Sequence, residues 1–213
     1  MRAMTISSAE RTQLRTAVRE LLDDACTEEH VRRVMTTDDG FDRRLWQQLA
    51  ERGVAGMLVD GEYGWDAVAE ALDLAVIAPA GEQVGGSRRM FDTTVEYLKT
   101  RIQFGRTIGS FQALKHMAAD LFLELESATS AAQHAAAEHA EGGENAAGAI
   151  ALAGFACAEA YQTITMAAIQ MHGGIGFTWE HPAHLYARRA RTGVQLFGAP
   201  RLYRERYLTS KGA

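Results

Sequence analysis

Apolar residues recur three and four positions apart through most of this chain, the spacing that places them on one face of an α-helix. Leu14, Val18, Leu21 and Leu22 share such a face behind Ser8-Ala-Glu-Arg, which opens a first helix. A turn near 23–27 leads to a weaker helix around 28–35, and Thr36-Thr-Asp-Asp-Gly is turn chemistry. A further helix starts near Phe41, sets Phe41, Leu45, Trp46 and Leu49 on one side, and stops at Gly53. Val54–Val59 reads as a short apolar stretch and Asp60-Gly-Glu-Tyr-Gly as a loop.

From Asp66 the helical signal lengthens, through Val68, Leu72, Ala75, Val76 and Val84 to Met90, Tyr97, Leu98 and Ile102. Pro79 inside this run predicts a kink or a delayed start, because proline removes an intrahelical donor. Gly81, Gly85 and Gly86 lower helix propensity yet permit close approach of a neighbour. Ser110 is the predicted N-cap of a second long helix ending near Glu141. A third, rich in Ala and Gly and suited to tight packing, covers about 145–171. Gly173-Gly-Ile-Gly closes it, a fourth segment runs from 179 or 182 to about 197, and Pro200 opens a fifth, short helix. No stretch alternates with a period of two. The predicted fold is all-α: an antiparallel four-helix bundle over 65–213, a short helical region over 1–64, and essentially no sheet.

Composition narrows the function classes. A chain of 213 residues that is 47% hydrophobic with three prolines suits a packed helical fold. Its net charge of −5 argues against non-specific nucleic-acid binding. Arg188, Arg189, Arg191, Arg201, Arg204 and Arg206 concentrate positive charge near the C-terminus, which reads as an ion-paired or solvated helical face. Cys26 and Cys157 are far apart and lack metal-ligand spacing, as expected of reduced thiols in a cytoplasmic protein. No signal pattern and no membrane-length apolar run is evident, so no membrane partner is expected.

Two motifs carry chemistry. Val95-Glu-Tyr-Leu-Lys-Thr-Arg-Ile-Gln-Phe-Gly-Arg-Thr-Ile-Gly-Ser-Phe-Gln ends one helix in an Arg, a Phe and a Gly and then starts another. Gln170-Met-His-Gly-Gly-Ile-Gly-Phe-Thr-Trp-Glu-His ends a helix in clustered glycines. Both arrangements free side chains and backbone N–H groups to hold an anion or a flat ring. Other chemistries find no pattern: no Glu-x-x-His pair for a di-metal bundle site, no Walker loop and no nucleophile elbow. His181 and His184 share a helical face, but two histidines make a weak metal case, and no metal is expected.

That pair of motifs, in that order, resembles the C-terminal helical domain of the acyl-CoA dehydrogenase family of flavoenzymes, closely from about Trp65 to Leu208. Leu45–Gly64 is similar to the family's early N-terminal region, so the chain jumps across the family's β-rich middle domain. The resemblance implies FAD as cofactor, an acyl-CoA as substrate, and α,β-dehydrogenation with hydride transfer to the flavin. Carried over motif by motif, it implies cofactor contacts from Arg101, Gln103, Phe104 and Gln112. The glycine turn adds Gln170, His172, Gly173 and Gly174, which approach the dinucleotide of a neighbouring subunit.

The family's catalytic glutamate is not found. Most members carry it just before a glycine, where this chain has Phe197 before Gly198; others carry it on the first bundle helix, where this chain has Ala75 followed by Val76. Phenylalanine and alanine cannot act as bases. Asp73 and Glu82 are the nearby carboxylates and read as bundle ion-pair partners; Glu180 reads as a cap or intersubunit partner. No catalytic residue is assigned. Two readings stand: a family flavoprotein dehydrogenase, or a non-catalytic shortened member that lends half of a FAD site to a partner. Under either, a homo-dimer or tetramer, or a hetero-oligomer with a full-length family member, is expected.

Overall fold

The computed structural model describes residues 8–52, 65–196 and 198–212. Val54–Val59, the 60–64 loop and Phe197 lie outside them. The chain divides into two compact units, Met1–Glu62 and Tyr63–Ala213.

In the first unit, α1 (Ser8–Ala25), α2 (Glu28–Val34) and α3 (Arg43–Glu51) follow one another. Thr27 caps α2 by accepting from the His30 amide at 3.2 Å, and Asp42 caps α3 by accepting from Arg44 and Leu45 at 2.8 and 3.1 Å. These bonds satisfy amides that the first helical turn leaves without partners. Phe41 precedes α3 instead of lying on it, and Trp46 is exposed instead of facing inward with Leu45 and Leu49.

The second unit is a helical bundle built from α4 (Trp65–Thr100), α5 (Gln112–Glu141), α6 (Ala146–His172), α7 (Ala183–Leu196) and α8 (Pro200–Ser210). Helix α6 is its axis and packs against each of the other four. That position explains its composition, since a helix with neighbours on every side must be apolar all round and narrow. Ile150, Cys157 and Ile164 are fully buried there, beside Met90 of α4 and Leu125 of α5. A Cβ at Gly154 would lie 2.9 Å from the Tyr203 ring of α8, so the Gly residues do provide close approach. The paired contacts Arg88–Glu126 and Phe91–Phe122 fix α5 alongside α4. The fourth column of the bundle is shared. Arg189 of α7 reaches Glu82 near the middle of α4, while Tyr203 and Ser210 of α8 lie on the early turns of α6.

Three expectations are corrected. Helix α4 begins at Trp65 and is continuous through Pro79, so its start is not delayed; proline's lost donor frees the Ala75 carbonyl without ending the helix. Ser110 is no N-cap: it closes a 3₁₀ turn, Ile108–Ser110, by donating to the Thr107 carbonyl at 2.7 Å, and Phe111 takes the cap position with no side-chain bond. A two-stranded antiparallel sheet also exists, with β1 (Ile102–Gln103) paired to β2 (Arg106–Thr107). Its strands are too short to show alternation.

Candidate functional site

The topology gathers both motifs at one end of the bundle. Helices α4 and α6 run parallel, as their pairings show: Val76 meets Gly154 near the starts, and Tyr97 meets His172 near the ends. Helix α5 starts at that same end, immediately after the β1–β2 hairpin. The end of α4, the hairpin, the first residue of α5 and the glycine turn after α6 are thereby neighbours.

Arg101 follows the last residue of α4. Its amide donates to the Tyr97 carbonyl at 2.9 Å, and its carbonyl accepts from Ile108 at 2.8 Å, closing the base of the hairpin. Its side chain is exposed and makes no ion pair among the described residues. Gln103 is exposed and sits opposite Arg106 in the ladder. Phe104 and Gly105 form the two-residue turn, both with positive φ, 53° and 75°. Such a turn matches the twist of its strands, but a phenylalanine pays for the left-handed conformation, by roughly 1–3 kcal/mol. The ring is nonetheless 89% exposed. Gln112 opens α5 and Gln170 lies in the last turn of α6, both exposed.

Gly173 ends α6 with φ 64°, where only glycine is unstrained. A Cβ added to Gly173 or Gly174 would meet nothing within 4 Å, so the space over this backbone is open. Gly176 differs: a Cβ there would lie 2.9 Å from the Ile169 carbonyl oxygen. His172 is the exception among the eight residues, because its ring is buried. Its Nδ1 donates to the Ala168 carbonyl at 2.7 Å, and its ring lies between Tyr97, 4.5 Å away, and His181, 4.3 Å away. The Tyr97 hydroxyl donates to the His172 carbonyl at 3.4 Å. His172 therefore anchors the turn from beneath, and Tyr97 ties that anchor to the helix that leads into Arg101. His181 accepts the Ala183 amide through Nδ1 at 3.2 Å, and His184 stacks on Trp179. No cluster of three or more His, Cys, Asp or Glu among the described residues could hold a metal ion.

Sequence reading gave Tyr97, Arg106 and Phe111 no part in the site and weighed His181 only as a weak metal ligand. Tyr97 carried a signal, one helical turn before Arg101. The other three owe their places to tertiary contacts.

Of the two positions where the resemblance would put a base, Phe197 lies outside the described residues. Ala75 lines a narrow cavity with Pro79, Gln83, Gly154, Gly198 and Tyr203; it holds ≈ 20 Å³. That is room for about one water molecule. The nearby carboxylates are engaged elsewhere. Asp73 accepts from Arg206 at 2.7 Å, and Glu82 receives the Arg189 guanidinium on both oxygens. That pairing, with the fork geometry of guanidinium on carboxylate, raises the pKa of Arg189. The C-terminal arginines accordingly serve packing: Arg189, Arg204 and Arg206 are ion-paired to α4 or α6, and Arg188 lies over Trp179.

An antiparallel helical bundle with an exposed arginine and an open glycine turn gathered at one end defines the class of fold. Comparison with known proteins settles the family. Residues 62–204 match the acyl-CoA dehydrogenase C-terminal domain and residues 8–105 the acyl-CoA dehydrogenase N-terminal domain. The chain belongs to the acyl-CoA dehydrogenase family. Acyl-CoA dehydrogenase IpdE2 of Mycobacterium tuberculosis (strain ATCC 25618 / H37Rv) is 47% identical over 129 residues, 61% of this chain and 39% of that protein. The chain thus spans about two fifths of that relative's length. Among solved structures, the ChsE4-ChsE5 complex from Mycobacterium tuberculosis shares the fold with a TM-score of 0.83 at 18% identity, covering 99% of both chains. PigA with FAD and proline matches with a TM-score of 0.67 at 26% identity, over 70% of this chain and 39% of that one.

Proposed function

We propose that this chain is a shortened, non-catalytic member of the family that assembles with a family partner and contributes the helical side of a FAD site. The observation that carries the reading is the pairing of an open dinucleotide-type surface with a closed base position. Arg101, Phe104 and the Gly173–Gly174 backbone face open space, whereas Ala75, one of the two positions where the family carries its base, borders a cavity of ≈ 20 Å³ with no carboxylate in its lining.

The residues present fit the group. The Arg101 guanidinium offers a forked, charge-assisted contact to a pyrophosphate. Phe104 offers a bare ring face to a flat ring, and Gln103, Gln112 and Gln170 supply amide donors and acceptors. Gly173 and Gly174 let a ligand approach their N–H groups without a Cβ in the way. Bound FAD supplies the hydride acceptor for α,β-dehydrogenation of an acyl-CoA. This chain's part is to bind and orient that cofactor; removal of the α-proton falls to a carboxylate of the partner.

The ChsE4-ChsE5 structure, of matching extent, is a complex of two named chains and supports the hetero-oligomer; the structure of PigA with FAD and proline supports the cofactor. A homo-dimer offers the same surface twice, and a homo-tetramer offers it four times. The test is a visible absorbance spectrum of the purified chain, alone and co-purified with a full-length family member, followed by acyl-CoA reduction. The expected result is a flavin band in the complex and no turnover by the chain alone. Turnover by the isolated chain would restore the dehydrogenase reading in its place.

A further inference from the structure

One arginine precedes the hairpin and another lies in its second strand, and the structure gives them different work. Arg101 is exposed and makes no ion pair among the described residues, while the Arg106 guanidinium lies over the face of the Phe111 ring, 4.0 Å from its centroid. The edge of the same system is taken by Phe104, whose ring stands perpendicular to Phe111 (86°) at 6.1 Å. Phe111 is itself fixed: it caps α5, is half-buried and packs against the bundle core. Its amide donates to the Ile108 carbonyl at 3.1 Å. Phe104 thus holds a left-handed backbone, φ 53°, with its ring almost wholly in water. Neither feature favours itself. What opposes them is the T-shaped contact and the cation seated on the ring that makes it.

We infer that Arg106 and Phe111 form a clamp that positions Phe104 for a flat ligand, so that Arg106 is a positioning residue and Arg101 alone is the hairpin's anion contact. The inference rests on the proposed FAD half-site for the identity of the ligand, though not for the existence of the clamp. Arg106 pairs with Gln103 across the ladder, so the clamp also sets the strand that carries Gln103. An aromatic ring placed in advance loses less freedom when a ligand covers it.

The test compares wild type with Arg106→Met, which keeps the aliphatic stack and removes the charge, and with Arg106→Lys. Phe104 ring-proton shifts are read by NMR in the free protein, and FAD affinity by quenching of flavin fluorescence in the chain with its family partner. Arg106→Met is expected to move the Phe104 ring shifts toward those of a free phenylalanine and to weaken FAD binding about two- to five-fold. Arg106→Lys is expected to restore part of both, and thermal stability to stay unchanged. Phe104 shifts indifferent to Arg106→Met would overturn the clamp, whether or not FAD binds. Loss of FAD binding in Arg106→Met as complete as in Arg101→Ala, with the ring shifts unmoved, would make Arg106 a direct anion contact and overturn its assignment here. If the wild-type complex takes up no FAD, the half-site reading fails, and the ring shifts alone still decide the clamp.

Discussion

Arg206 of α8 places its guanidinium 2.7 Å from the Asp73 carboxylate of α4, joining the last helix of the chain to the first helix of the bundle. The Asp73 side chain is 23% exposed and that of Arg206 40%, so solvent screens the pair in part. Its worth is about 0.5–1 kcal/mol, near the upper end for exposed pairs. Arg206→Ala and Asp73→Asn should each lower stability by about 1 kcal/mol, and the double variant should cost little more than either alone. Denaturant titration of the four proteins measures the coupling. Full additivity would mean the contact contributes nothing, and would reopen Asp73 as a free carboxylate.

Two adjacent glycines of α4 should respond to alanine with opposite signs. A Cβ at Gly86 would lie 2.7 Å from the Tyr161 ring and hydroxyl, and Tyr161 is buried with little freedom to retreat. Gly86→Ala is expected to destabilise by about 1–3 kcal/mol through overpacking. At Gly85 a Cβ meets nothing within 4 Å. Gly85→Ala should stabilise by about 0.5–1 kcal/mol, since alanine loses less backbone freedom in a helix. Paired melting curves check both signs.

The same pair of residues shows how much of the fold was readable. Sequence spacing placed all five helices of the second unit within a few residues of their observed bounds, because long amphipathic runs with glycine and proline punctuation are strongly periodic signals. It could not say that Gly86 rather than Gly81 or Gly85 is the one pressed against a neighbour, which depends on where Tyr161 falls, 75 positions later. Pro79 does not delay the start of α4, since one lost hydrogen bond is a small loss in a helix packed against several neighbours. At the candidate site, Arg101, Phe104, Gln112 and the glycines were nominated by motif, and the fold gathers their segments at one end of the bundle. The stacking of Tyr97 under His172, and of Arg106 on Phe111, appears only once the chain is folded.

The two cysteines should separate cleanly under alkylation. Cys26 is exposed, whereas Cys157 is wholly buried and donates to the Ala128 carbonyl at 3.3 Å. Burial pushes the Cys157 thiol from its ordinary 9.0 up to about 12. Since the thiolate is the nucleophile, iodoacetamide at pH 8 should label Cys26 alone until the bundle unfolds. Intact-mass analysis reads the result; native labelling of Cys157 would mean that α5 and α6 part far more often than their packing implies.

The same shift fixes the sign of alkaline instability. A raised folded value means the native state keeps a proton that the unfolded chain releases, so stability falls as pH rises from about 9 toward about 12. Burial also raises Tyr161 and Tyr203, adding to the effect in the same direction. Cys157→Ala should flatten the decline of melting temperature above pH 9 without abolishing it. An unchanged slope would show that the tyrosines dominate.

Gly174 and Gly176 lie in one turn and should fail for different reasons when replaced by alanine. Gly176 is buried, and a Cβ there would be 2.9 Å from the Ile169 carbonyl oxygen and 3.1 Å from the His172 Cβ. Neither neighbour can move without disturbing the end of α6. Gly176→Ala is therefore expected to lower stability by about 1–3 kcal/mol and to disturb the site only through that loss. At Gly174 nothing lies within 4 Å of an added Cβ and the backbone φ is ordinary, so Gly174→Ala should leave the melting temperature within about a degree of wild type. The methyl group would instead stand between a ligand and the turn's N–H groups. In the partner complex, flavin affinity should drop at least ten-fold for Gly174→Ala, a loss of about 1.4 kcal/mol. Wild-type affinity in a stable Gly174→Ala protein would remove the glycine turn from the cofactor surface and leave Arg101 and the hairpin to account for it alone.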